Sequence, residues 1–148
     1  MDLFLNGFKT IYDDVWYKDE GFGLELSVSL KNNSKFSPQL DLTSDGYGAT
    51  YPLIDKRIAG KSVDKGIVNN IFFGSSYQVA NHIMISYSIG TSFINSYIYL
   101  GMKPELQYSF FKNDRIKVKF SLTHIRPKYG GKVEPYGYLG LGIGYRLF

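Results

Sequence analysis

The side chains in this sequence that could do chemistry are few, and they fall on alternating positions. Glu25 and Asp41 lie in two alternating stretches separated by Asn32-Asn33-Ser34. A tight turn centred on Asn33 sets Leu30 against Phe36, Leu26 against Leu40 and, on the other face, Glu25 against Asp41. Two carboxylates opposed in a confined interior cannot both ionise cheaply without a cation. The cations on the matching face of later stretches are Lys103, Lys117, Lys119 and Arg146. Such a set suits either a charge-balanced network that fills an interior or a proton-linked catalytic pair. A turn centred on Asn113 places Glu105 diagonal to Lys119, which favours the network. His124, in Thr123-His124-Ile125-Arg126-Pro127, is the remaining candidate general base, so the catalytic candidates are His124, Asp41 and Glu25. His82 lies in a turn, and two separated histidines without any cysteine form no metal-ligand set. No metal and no cofactor is expected.

These positions are carried by a chain of 148 residues, a length that suits one domain over 1–148. Its 44% hydrophobic content is ordinary, whereas 13 Tyr and 11 Phe beside a single Trp suit the interfacial girdles of a membrane barrel or a β-sandwich. The net charge of +4 comes from Lys and Arg scattered over several segments, which is not a nucleic-acid footprint. No run approaches the roughly 18–20 apolar residues of a membrane helix, and this excludes helical insertion only. No secretory signal is visible; an outer-membrane destination requires that one preceded this chain, with Met1 standing in its place.

Alternation organises the chain. Residues 2–20 fit a strand, with Leu3, Leu5 and Gly7 against Phe4, Asn6 and Phe8, or a helix carrying Phe4, Phe8, Ile11 and Val15 on one face. The strand is adopted because the rest of the chain supplies seven and a closed barrel needs an eighth. Residues 21–31 alternate cleanly, then residues 36–43 form a third strand. A polar segment from about Ser44 to Gly66 reads as the largest loop, its Asp and Lys solvated. Ile71 to Val79 and Ile83 to Ile89 form a hairpin about Ala80-Asn81-His82. A short link near Ser92 to Ser96 leads to the sixth strand, Ile98 to Phe110, and Ile116 to Leu122 forms the seventh. A loop from about Arg126 to Pro135 precedes the last strand. Connections after strands two, four and six are tight and most of the others longer, as in outer-membrane barrels.

That last strand is the most informative. Leu139, Leu141, Ile143, Tyr145 and Leu147 point one way, while Gly140, Gly142, Gly144 and Arg146 point the other. Glycine packs nothing against solvent but fits where space is short. The narrow interior of a small closed barrel is such a place, with the apolar face then turned to lipid.

Gly142-Ile143-Gly144-Tyr145-Arg146 followed by a terminal aromatic resembles the closing strand of small eight-stranded bacterial outer-membrane barrels of the OmpX and Ail kind; Leu147 stands where that family has its final Phe. The resemblance implies an all-β, antiparallel up-and-down eight-stranded transmembrane β-barrel in the bacterial outer membrane, acting as a scaffold or surface-interaction protein through its long loops. Lipopolysaccharide or other outer-membrane lipids, and an extracellular partner, are the expected contacts of a monomer. A second resemblance is to the lipid A palmitoyltransferases. It is carried by Asp2-Leu3-Phe4-Leu5, Glu20-Gly21-Phe22-Gly23 and Thr123 to Pro127 with Tyr129. It implies that prolines loosen strand pairing to admit a lipid chain, a gate that would comprise Pro38, Pro104 and Pro127. Lipid A deacylases carry His-x-Ser-Asn late in the chain; His124 is similarly placed without the Ser. A lipid A-modifying enzyme is therefore the alternative function, and a soluble barrel that binds an apolar ligand, with the faces inverted, is the third.

Overall fold

The computed structural model describes residues 1–11, 20–30, 35–47, 66–94, 97–110, 115–126, 128–129, 132–133 and 136–147. Among them the strands are β1 (Asp2–Thr10), β2 (Glu20–Ser29), β3 (Phe36–Tyr47), β4 (Gly66–Ala80), β5 (Ile83–Ile94), β6 (Tyr97–Phe110), β7 (Ile116–Ile125), β8 (Lys128–Tyr129), β9 (Lys132–Val133) and β10 (Tyr136–Arg146). Eight of them close into an antiparallel barrel in the order β1-β10-β7-β6-β5-β4-β3-β2, and β8 pairs with β9 as a separate ribbon. The closing seam runs from Asp2↔Arg146 to Thr10↔Tyr138. Asp2 and Arg146 share one end of the barrel with the strand ends at Ser29 and Phe36, Ala80 and Ile83, and Phe110 and Ile116; the other strand ends lie opposite.

Closure gives every barrel strand a neighbour on both sides, and it divides each alternating strand into a lumen side and an outer side. Leu5, Leu24, Ile98, Leu100, Leu141 and Ile143 point outward with 56% to 65% of their surface exposed, whereas Phe4, Glu25, Asp41, Lys103 and Lys119 point inward and are buried. The polarity is inverted relative to a soluble barrel around an apolar ligand, which removes that alternative.

The inward glycines of β10 sit where neighbours need the room. A Cβ on Gly140 would stand 2.6 Å from Ser121 Oγ; on Gly142 it would overlap Asn6 Oδ1, and on Gly144 the Phe4 ring. Around the outside of the terminal end, aromatic residues pair: Phe36 with Tyr77 at 4.6 Å between centroids, and Tyr108 with Phe110 at 5.0 Å edge-on.

Several boundaries differ from the sequence reading. Residues 2–10 are a strand, so the helical reading fails there; residues 12–19 lie outside the described residues. β3 continues to Tyr47 inside the stretch read as loop, because Ser44 to Tyr47 keep pairing with both β2 and β4. The rest of that stretch, 48–65, lies outside the described residues. β5 runs to Ile94 through the expected link at Ser92, leaving only 95–96 between strands. The stretch before β10 contains the β8–β9 ribbon.

A side chain on Gly144 must displace a ring that is 1% exposed and already covered by neighbours. Gly144→Val is therefore expected to destabilise the barrel by roughly 1–3 kcal/mol, with a much smaller effect from the outward Ile143→Val; urea unfolding followed by circular dichroism measures both.

Candidate functional site

The functional side chains gather in the lumen in three tiers. At mid-height the Lys103 ammonium on β6 lies 3.1 Å from Glu25 Oε1, 3.0 Å from Asp41 Oδ2 and 3.0 Å from Glu105 Oε1. Lys119 on β7 bridges Glu25 Oε2 and, at 3.1 Å, Glu105 Oε1, and it stands 4.2 Å from the centroid of the Phe4 ring. Neutral groups complete the shell. Asn6 Nδ2 donates to Glu25 at 3.2 Å, Ser27 Oγ to Asp41 at 2.6 Å and Ser86 Oγ to Glu105 at 2.8 Å. Gln39 Nε2 donates to Asp41 Oδ1 at 2.8 Å and to Glu105 Oε2 at 3.1 Å. Removing such charges from water costs several kcal/mol per ion, and only direct pairing with hydrogen bonds on the remaining lone pairs offsets that cost.

Nearer the termini, Asp2 is bridged by Lys117 and lies 3.5 Å from Arg146 Nε, whose side chain reaches the rim. Toward the loop end, Tyr138 Oη donates to Asp45 Oδ2. Asn70 Nδ2 reaches Thr43 Oγ1 at 2.6 Å, Asp45 Oδ2 at 3.1 Å and Tyr138 Oη at 3.1 Å. Around this tier Phe8, Val68, Ile94, Tyr99, Ile125 and Tyr138 form an apolar cluster.

Glu25 and Asp41 do not face each other. Glu25 pairs with Thr43 and Asp41 with Ser27, two residues away from the register that a turn about Asn33 gives. The hairpin closes more widely, through the Leu30 amide to the Pro38 carbonyl at 3.0 Å. An even shift preserves the face, so both carboxylates still enter the lumen, and they meet through Lys103 instead of through the ladder. Oxygens of Glu25, Asp41 and Glu105 lie within 4.8 Å of one another, close enough to hold a cation. The cation is Lys103.

His124 is not brought to these carboxylates. Strand parity turns it outward on β7, between Gly137 and Met102, while Thr123 and Ile125 take the inner face. Asp45, read as a solvated loop acid, is 2% exposed inside the barrel. Asp2, Asn6, Gln39, Asn70 and Tyr138 also belong to the site; inward parity was the only signal that marked them. Pro38 lies in β3 opposite Ser75, and Pro104 in β6 opposite Tyr87. The β6–β7 ladder passes from Met102↔His124 to Glu105↔Ser121, so Lys103 and Pro104 pair with β5 but not with β7. A proline without an amide hydrogen accounts for one lost bond. Pro127 lies outside the described residues.

Lys103→Met removes one ammonium from three buried carboxylates and should cost roughly 3–5 kcal/mol. Adding Asp41→Asn to that variant should recover part of the loss, and chemical unfolding of the single and double variants checks both.

No family model matches the sequence, and no curated protein matches it. Among solved structures, the chain is similar to the crystal structure of Ail, the attachment invasion locus protein of Yersinia pestis, with TM-score 0.63 and 13% identity over 97% of this chain and 94% of that one. The backbone structure of the same Yersinia pestis outer membrane protein in a phospholipid bilayer nanodisc gives TM-score 0.58 at 15% identity, covering 99% of each chain. Neisserial surface protein A gives TM-score 0.50 at 10% identity, over 99% of this chain and 95% of that one. At these identities the likeness is one of backbone architecture: the fold is that of small eight-stranded outer-membrane barrels.

Proposed function

We propose that this chain is a bacterial outer-membrane barrel that serves as a membrane scaffold and presents its loop end to lipopolysaccharide or an external partner. The observation that carries this reading is the inverted polarity: charged side chains paired in the lumen and large apolar side chains directed outward on the barrel strands. A wall of that kind in water would expose an apolar patch far larger than soluble monomers tolerate. The span from Leu139 to Leu147 rises about 27 Å along its strand at ~3.4 Å per residue. With a strand tilt of about 40° that is close to the height of a barrel's apolar band. Aromatic pairs at the terminal end fit an interfacial girdle. Two of the similar structures are an attachment invasion locus protein and a surface protein, which supports a role for the loop end in contacts outside the cell.

Purified protein should need detergent to stay in solution and should fold into phospholipid vesicles on dilution from urea; a monodisperse, detergent-free monomer would sink the membrane reading. Leu141→Arg or Ile143→Arg should lower folding stability in vesicles by roughly 2–4 kcal/mol when the site lies near the bilayer midplane.

Acyl transfer requires a base or nucleophile beside the substrate carbonyl, and His124 is separated from Asp41 and Glu25 by the barrel wall. Incubation with phospholipid and lipid A is accordingly expected to leave the lipid A mass unchanged. Gain of a palmitoyl group or loss of an acyl group, abolished by His124→Ala, would replace the scaffold reading by an enzymatic one.

A further inference from the structure

Asp45 stands apart from the other lumen acids. Asp2, Glu25, Asp41 and Glu105 each lie in an ion pair, whereas among the described residues none of the ion pairs reaches Asp45, although it is 2% exposed. Its hydrogen bonds, from Thr43, Asn70 and Tyr138, all fall on Oδ2. Neutral donors lower the cost of a buried carboxylate without supplying its counter-charge.

A second observation lies beside it. Asn70 and Ser92 occupy paired positions on β4 and β5, facing inward, and are 1% and 0% exposed. Asn70 Oδ1 and Ser92 Oγ have no hydrogen-bond partner. The opposite end of the same Asn70 amide touches Asp45. A buried carboxylate without an ion-pair partner thus touches the Asn70 amide, whose oxygen has no donor, and Asn70 is paired in turn with Ser92, whose hydroxyl has no partner either; Val68, Tyr99 and Tyr138 of the apolar cluster flank them. Adding a positive ion would answer both deficits at once.

We infer that the lumen beside Asp45 binds a monovalent cation of sodium size, charge-balanced by Asp45 and liganded by Asn70 Oδ1 and Ser92 Oγ. All the donors are hard oxygens, which excludes the soft transition metals. One carboxylate is too little charge for calcium, which gathers several. The site differs from the mid-height cluster, where Lys103 and Lys119 supply the positive charge.

Stability of the full chain, folded in detergent at fixed pH and fixed ionic strength, tests the inference, because screening is then equal in every arm. At about 150 mM sodium chloride the unfolding constant should be roughly sixfold lower than in choline chloride, as a Kd of about 30 mM gives. Ser92→Ala and Asp45→Asn should each abolish the difference between the two salts, and Ser92→Ala keeps the test valid if Asp45→Asn does not fold. Equal unfolding constants for the wild-type chain in the two salts would overturn the site. So would a choline sample that reaches the sodium value merely on acidification, since a proton would then neutralise Asp45, or a sodium effect that persists in Ser92→Ala.

Discussion

The lumen of this barrel is too narrow to hydrate its charges, and the constraint that follows is mutual satisfaction. Lys103 serves Glu25, Asp41 and Glu105, and Lys119 serves Glu25 and Glu105. Three carboxylates on β2, β3 and β6 are tolerable at one height only because two ammonium groups stand between them. Glu25 links this network to β1 through Asn6, and Glu105 links it to β5 through Ser86. Removing one member strands the others, which makes the cluster a stronger determinant of a single packing than its net energy alone suggests.

Space is the companion constraint. The network leaves little room on β10, and that strand answers with glycines. Phe4 lies over Gly144 and Asn6 against Gly142, so the aromatic ring beneath Lys119 and the amide that donates to Glu25 both occupy volume that a larger β10 residue would claim. The pattern of the closing strand and the chemistry of the lumen are therefore one packing solution seen from two sides.

What the sequence reveals here is parity, and parity carries far. Alternation separates Leu141 and Ile143 from Gly142 and Gly144, and Lys117 and Lys119 from Val118 and Phe120, because each strand step reverses the side chain. Register is harder to read. The connection between β2 and β3 closes more widely than a turn about Asn33, and nothing in Asn32-Asn33-Ser34 announces the extra residues. A two-residue error leaves the faces correct while giving Glu25 and Asp41 the wrong neighbours. Asp45 escaped for another reason: Ser44-Asp45-Gly46 has the composition of a turn, and only pairing with both β2 and β4 makes it strand. Convergence across the lumen, as of Tyr138 on β10 with Asp45 on β3, leaves no trace in local spacing.

The break in the β6–β7 ladder has a mechanical meaning. At Lys103 and Pro104 the wall lacks the cross-strand bonds that carry load elsewhere around the circumference. Immediately inside, Lys119 of β7 grips Glu105 of β6, and both β6 and β7 are tied to Glu25 on β2 across the bore. Tension at that seam passes along a spoke instead of the rim. The cylinder is braced across its diameter where its hoop is thinnest, so its roundness and its internal electrostatics are a single property.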